Sequence, residues 1–232
     1  MGAGARWGGV LFDLDGTLLD TLDDLAGAMN RALVAGGWAT HPVAAYRRFV
    51  GDGVEMLARR ALPPGAPEET VKATLAAFMA DYQGHWADAT APYPGVPELL
   101  VELAARGVPT AVLSNKPDRY MAPIVARFFP GHSFAVVSGQ RPGLPRKPDP
   151  TGALAVAREM GVAPGETLVF EDSLYALLTA KAAGYRTVGV FDAEGERNQE
   201  ELRRASDVYL ARAEFGEFAE RFKNGEIPWS DK

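Results

Sequence analysis

Four carboxylates, a hydroxyl, an amide and a lysine stand at positions of this 232-residue chain where chemistry could be done. The apolar run Val10-Leu11-Phe12 passes directly into Asp13-Leu14-Asp15-Gly16-Thr17. Residues two apart on a strand share a side, so Asp13 and Asp15 can both point into one site from the strand end. Like charges this close need a cation or a shared proton. Magnesium would supply the cation, since it takes oxygen ligands and is typically held by one or two carboxylates plus a substrate phosphate. Either Asp alone reads as a turn former or a helix N-cap; the pair, directly after an apolar strand and before Gly16-Thr17, points to chemistry. Glu171-Asp172 follows a second apolar run and would complete the metal shell, although Asp172 or Ser173 could simply cap the next helix. Ser114-Asn115 follows a third, offering a hydroxyl and main-chain N–H groups to an anion. Lys147 sits between Pro145 and Pro148, where a rigid loop would fix its ammonium towards a phosphate. Its neighbour Arg146 reads as a surface residue.

The elements that must position these residues follow from periodicity. A buried strand at 10–12 ends in a glycine-containing turn. Leu22, Leu25, Met29 and Leu33 then recur at spacings of three and four, one face of an amphipathic helix. Further helices are predicted over 43–50, 54–62 and 68–86, with Pro63-Pro64-Gly65 as a break. From residue 96 the pattern alternates. Strands are predicted at 108–113, 134–137, 167–170, 186–190 and 207–210, with helices at 96–105, 120–128, 151–160, 174–183, 199–204 and from 213. A Gly/Pro-rich loop spans 139–150. Such alternation implies right-handed crossovers and a mostly parallel sheet. The expected fold class is α/β, a Rossmann-like three-layer core with a helical cap inserted after the first strand. Residues 1–19 and 92–232 would form the core and 20–91 the cap, with hinges near 17–20 and 88–94.

Composition excludes several function classes. Hydrophobic residues make up 47% and charged residues 23%, which argues for a globular chain and against disorder. The chain has no cysteine, so a disulfide framework, a thiolate metal site and a Cys nucleophile are excluded. A net charge of −6 disfavours a nucleic-acid partner, and a substrate anion must therefore be held by local groups. Val10-Leu11-Phe12 is too short for a signal or a membrane span. Met1-Gly2-Ala3-Gly4-Ala5-Arg6 has Arg where a myristoylation start wants Ser or Thr. The expectation is a cytoplasmic protein, a monomer or homodimer, with no membrane partner. His41, His85 and His132 have no metal-ligand spacing, and Trp229 could pack on the core or mark a contact.

In their order along the chain, these residues resemble the four motifs of the haloacid dehalogenase superfamily of phosphohydrolases. Asp13-Leu14-Asp15-Gly16-Thr17-Leu18 matches the first, Ser114-Asn115 the second, Lys147-Pro148 the third, and Glu171-Asp172 with Ala182-Ala183-Gly184 the fourth. The helical insert is similar to the family's cap at its first insertion point. Residues 13–21 and Phe49-Val50-Gly51-Asp52-Gly53 are most similar to the phosphoglycolate phosphatase branch. The resemblance implies a magnesium-dependent phosphomonoesterase acting on a small phosphorylated metabolite, a phosphoglycolate-type compound or a sugar phosphate. By the same resemblance Asp13 would attack phosphorus and form an aspartyl-phosphate. Asp15 would protonate the leaving alcohol and then activate water. Magnesium would be held by Asp13, the main-chain carbonyl of Asp15 and Asp172, with Glu171 nearby. Thr17, Ser114, Asn115 and Lys147 would bind the phosphoryl group. Many members carry a second acid four residues after the fourth-motif Asp, where this chain has Ala176; the adjacent Glu171-Asp172 pair resembles another accepted variant.

Arg47, Gly51 and Gly53 are candidates for substrate selection, Arg47 and Arg48 reading equally well as exposed cap arginines. Alternative functions are a mutase similar to β-phosphoglucomutase, a pyrophosphatase and, in a different class, a non-catalytic phosphoacceptor domain. Phosphonate hydrolysis is disfavoured because the only lysine within 20–91 is Lys72. Dehalogenation is disfavoured because it does not require Asp15.

Overall fold

A computed structural model of the chain describes residues 8–191 and 199–224. The expectations for residues 1–6 and for Trp229 lie outside these. Strand β1 (Gly9–Phe12) is buried along its whole length, as a central parallel strand must be, and this is why it is a continuous apolar run. Strand β2 (Leu19–Asp20) leads into helices α1 (Leu22–Ala35), α2 (Val43–Tyr46), α3 (Val54–Ala61) and α4 (Glu68–His85), and the chain returns through β3 (Ala91–Pro92). Strands β2 and β3 pair antiparallel, Leu19 opposite Pro92 and Asp20 opposite Ala91, so both ends of the helical insert leave the sheet side by side. The remaining elements alternate: α5 (Val96–Ala105), β4 (Thr110–Pro117), α6 (Met121–Phe128), β5 (Val136–Gln140), α7 (Thr151–Met160), β6 (Thr167–Glu171), α8 (Leu174–Ala182), β7 (Arg186–Phe191), α9 (Gln199–Ala205), β8 (Val208–Ala211) and α10 (Phe215–Lys223).

Six parallel strands lie in the order β5-β4-β1-β6-β7-β8. Their alternation divides the core between two faces. Val10, Phe12, Val112 and Phe170 pack with Leu99 and Leu103 of α5 and Phe215 and Phe218 of α10. Leu11, Ala111 and Val169 face the other way, onto Val156 and Ala157 of α7 and Ala180 of α8. The result is the expected three-layer α/β core.

Three elements differ from their expected bounds by more than two residues at one end. The helix expected over 43–50 ends at Tyr46, whose carbonyl takes the N–H groups of both Phe49 and Val50 in a closing turn. Gly51 and Gly53 follow at φ +114° and +87°, a conformation that L side chains resist and that ends the helical path. The strand expected at 134–137 begins at Val136, because Phe134 packs instead on the rings of Phe129 and His132, at centroid distances of 6.0 and 4.5 Å. Strand β4 continues past residue 113 to Pro117, which keeps Ser114, Asn115 and Lys116 extended and buried.

A buried carboxylate ties the insert to its return strand. Asp24 accepts hydrogen bonds from the N–H groups of Ala89 and Thr90, at 2.9 and 2.8 Å, and from the Thr90 hydroxyl at 2.6 Å. Asp24→Ala would leave these three donors without an acceptor in a buried place, at a cost of about 2–4 kcal/mol. Urea denaturation should show a lower midpoint at unchanged slope; an unchanged midpoint would contradict the clamp.

Candidate active site

Ligands of doubly wound sheets bind beyond the carboxyl ends of the strands, where the strand order reverses. Here β4 and β6 flank β1, so the ends of these three strands lie side by side. A cavity of about 140 Å³ opens there. Asp13, Asp15, Ser114, Asn115, Lys147, Glu171 and Asp172 all line it, and from the helical insert so do Arg47, Gly51 and Gly53. Thr17 is fully buried, is not part of the cavity wall, and its hydroxyl has no partner among the described residues.

The buried Asp13 and the half-buried Asp15 each face their own ammonium. Lys147 Nζ lies 2.5 Å from Asp13 Oδ1 and 2.7 Å from Glu171 Oε2. Burial pushes the Asp13 carboxyl up to about 7, with Lys147 opposing and Glu171 and Asp15 adding to the rise. Burial likewise raises Glu171 against the pull of Lys147. For Lys147 itself burial acts downwards, but the two carboxylates outweigh it and leave the ammonium above its ordinary range. On the other side of the site, Lys116 Nζ donates to Asp15 Oδ1 and Oδ2 at 2.9 and 3.3 Å. Lys116 is also held above its usual range, because Asp15 and Tyr82 together outweigh burial.

Carboxylate oxygens of Asp13, Glu171 and Asp172 all lie within 4.8 Å of one another. Against Lys147 on Asp13 and Glu171 and Arg212 on Asp172, these three carboxylates still carry an excess of negative charge, and an all-oxygen, all-carboxylate donor set suits a hard divalent cation. These residues therefore fit magnesium. Gly16 makes their approach possible: at φ +87°, a Cβ there would sit 2.2 Å from Asp172 Oδ2. Arg212 secures the same junction, donating to the Gly16 carbonyl at 2.6 Å and to Asp172 Oδ2 at 3.1 Å, with its guanidinium 5.2 Å from the Tyr93 ring centroid. Ala176, where many relatives of the resembled family place a second acid, contributes only an apolar patch to the wall.

The Asn115 side chain serves a structural latch. Its Oδ1 accepts the Lys147 N–H at 2.8 Å, and its Nδ2 donates to the carbonyls of Lys147 and Gly51, both at 3.0 Å. Both amide hydrogens are thus spent on fixing the Lys147 backbone and latching the Gly51 loop of the insert onto β4. Among the described residues the Ser114 hydroxyl accepts only the Lys116 N–H, at 3.2 Å, so its own proton remains to donate. Asn115→Ala removes three hydrogen bonds at once and should cost about 2–4 kcal/mol. A thermal melt should fall accordingly, together with activity; a wild-type melt would show that the latch contributes nothing.

Lys116, Arg212 and Tyr82 line the cavity although nothing singled them out in the sequence. Two of them had a signal. Lys116 stands two residues after Ser114, hence on the same side of an extended strand. Arg212 directly follows β8, at the carboxyl end of a strand where ligand-facing groups gather. Tyr82, in the middle of α4, looks like any aromatic core residue.

Comparison with known proteins agrees with this geometry. Residues 10–190 match the family model described as haloacid dehalogenase-like hydrolase. The chain is 38% identical over 187 residues to a phosphoglycolate phosphatase of Pseudomonas putida KT2440, covering 78% of this chain and 68% of the relative. It is 38% identical over 182 residues to phosphoglycolate phosphatase 1 of Pseudomonas aeruginosa, covering 76% of this chain and 66% of the relative. The chain thus spans about two thirds of these relatives' length. Its fold is similar to the crystal structure of a predicted phosphoglycolate phosphatase from Haemophilus somnus, with TM-score 0.80, 26% identity, and coverage of 92% of this chain and 98% of that one. No helix among the described residues is long and apolar enough to cross a membrane. With its motifs gathered at one sheet end and a family match over most of its length, the chain belongs to the haloacid dehalogenase-like hydrolase family, as a phosphatase of that superfamily.

Proposed function

We propose that the chain is a magnesium-dependent phosphomonoesterase for a small phosphorylated acid of the phosphoglycolate type, acting through an aspartyl-phosphate on Asp13. The observation that carries this reading is the separate pairing of Asp13 with Lys147 and of Asp15 with Lys116. Adjacent carboxylates in distinct electrostatic settings are how one site runs nucleophilic and proton-transfer chemistry together. The cavity is small against the ~300–1,000 Å³ of pockets for drug-sized ligands, which favours a short substrate. The relatives' names supply the substrate type.

In this mechanism the Asp13 carboxylate attacks phosphorus while the bond to the alcohol oxygen breaks. Asp15 delivers a proton to that oxygen, and the alcohol departs. Lys147 and the Ser114 hydroxyl donate to the phosphoryl oxygens, where charge accumulates. Asp15 then takes a proton from the water that attacks the acyl phosphate, releasing phosphate and restoring Asp13. Magnesium held by Asp13, Asp172 and the Asp15 carbonyl, with Glu171 beside them, would neutralise phosphate charge. Residues 20–91 act as a cap domain that excludes bulk water, latched by Asn115.

The test is phosphate release from phosphoglycolate, sugar phosphates, nucleotides, pyrophosphate and 4-nitrophenyl phosphate, with magnesium or with a chelator. Release should be fastest from phosphoglycolate. It should fall at least about 100-fold on chelation and return on adding magnesium back. Isomerisation of a sugar phosphate without free phosphate would identify a mutase instead. No release from any compound by folded protein would overturn the reading.

A further inference from the structure

We propose that Lys116 and Tyr82 together read a second oxyanion on the substrate, a carboxylate carried by the leaving alcohol, and so restrict the enzyme to short phosphorylated hydroxy acids. The proposal rests on the phosphatase reading above and adds the residues that select the substrate.

Tyr82 is 1% exposed, and its buried hydroxyl, apart from an interaction with the Lys116 ammonium that leaves its own proton free to donate, has no hydrogen-bond partner among the described residues. A buried donor left unpaired costs stability, and such a group in a cavity wall is explained by a ligand that completes it. The ring cannot turn away to find another partner: it stacks on Phe78 at 5.3 Å and meets Tyr120 edge-on at 5.4 Å. Lys116 stands directly below, its ammonium 5.0 Å from the Tyr82 ring centroid and its side chain 2% exposed. That ammonium donates to the two oxygens of Asp15 and also meets the Tyr82 hydroxyl. An ammonium carries three donors, and a further oxyanion can share it.

The position of this pair in the site decides which part of the substrate it meets. Lys147 serves Asp13 and thus the phosphoryl group, whereas Lys116 serves Asp15, the residue assigned to the leaving oxygen. Lys116 and Tyr82 therefore face the substituent of the alcohol. A neutral substituent would leave the Tyr82 hydroxyl as it is and give Lys116 nothing. The two oxygens of a carboxylate match one ammonium and one hydroxyl, both as charge-assisted bonds. Leu22, Leu25 and Leu57 give the insert's part of the cavity wall an apolar stretch, beside which Arg47 and Asp52 also line it. A single carboxylate on a short alcohol is the group that this arrangement accepts.

The experiment compares kcat/KM for phosphoglycolate and for 2-hydroxyethyl phosphate, an ester of equal length without the carboxylate, in the wild type and in Tyr82→Phe. The wild type should prefer phosphoglycolate, and Tyr82→Phe should reduce that preference at least about tenfold, chiefly through KM for phosphoglycolate. Lys116→Gln should reduce it further; because this change also touches Asp15, its readout is the ratio of the two substrates and not either rate. Tyr82→Phe keeps the ring and leaves Lys116 its bonds to Asp15, so its melting temperature should change little. A preference unchanged within twofold in Tyr82→Phe, or no wild-type preference while both esters are hydrolysed, would overturn the proposal and leave the phosphatase reading standing. Absence of phosphate release from both esters and from 4-nitrophenyl phosphate would overturn that reading, and this one with it.

Discussion

Asp13→Asn is expected to lower phosphate release by about 10⁴–10⁶-fold, the scale on which loss of a covalent nucleophile removes turnover. An amide keeps the shape of the side chain and can still accept a bond from Lys147, so the site should stay assembled. The fold should not suffer. Asp13, Glu171 and Asp172 place carboxylate oxygens within 4.8 Å of one another, and removing one negative charge relieves that crowding. The metal-free variant should therefore melt at the wild-type temperature or above it. Loss of activity with an intact or raised melting temperature separates a missing nucleophile from a broken structure. Substantial turnover in Asp13→Asn would instead move the chemistry to direct attack by water.

The second large effect belongs to Asp15. General acid–base groups contribute about 10²–10⁴-fold, and Asp15→Asn should lose that much from kcat with phosphoglycolate. The loss should depend on the leaving group. An alkoxide leaves poorly without a proton, whereas 4-nitrophenolate leaves readily, so the first step with 4-nitrophenyl phosphate should survive far better. Release of one equivalent of nitrophenol followed by stalling would then mark the blocked second step, in which Asp15 deprotonates water. A uniform loss with both substrates, and no burst, would show that Asp15 acts by holding the site together through Lys116 and not by moving protons.

Much of this arrangement is legible in the amino-acid sequence, and the physical reason is local. Parallel strands buried on both faces are unbroken apolar runs. Asp13, Ser114 and Glu171 therefore stand out where such runs stop, and sheet topology brings those stops together. Helices α5 and α7 were equally legible because glycine and proline punctuate them at Gly95, Gly107, Pro150 and Gly161. What remained hidden depends on contacts that no local pattern encodes. Lys116 lies beyond the strand expected at 108–113, since β4 continues to Pro117 only through a shifted register with β5 beyond Leu113. Arg212 reaches the Gly16 carbonyl across 196 positions of chain. Asn115 was expected to contact phosphate, and its latch exists only because Gly51, 64 residues away, folds back onto β4. Tyr82 has the spacing of a core aromatic, as its neighbour Phe78 is; only the cavity beside it makes its hydroxyl informative.

The central claim is that Asp13 carries the phosphoryl group between substrate and water. It is tested most directly by rapid acid quenching during turnover of phosphoglycolate with magnesium, followed by borohydride reduction and peptide mass spectrometry. An acyl phosphate is reduced to an alcohol whereas a free carboxylate is not, so the predicted result is reduction confined to the side chain of Asp13. It should be stronger in Asp15→Asn given 4-nitrophenyl phosphate, where the first step survives while hydrolysis of the intermediate is slowed, and absent without substrate. Phosphate released at the full rate, with Asp13 unmodified at every quench time in both proteins, would contradict the account.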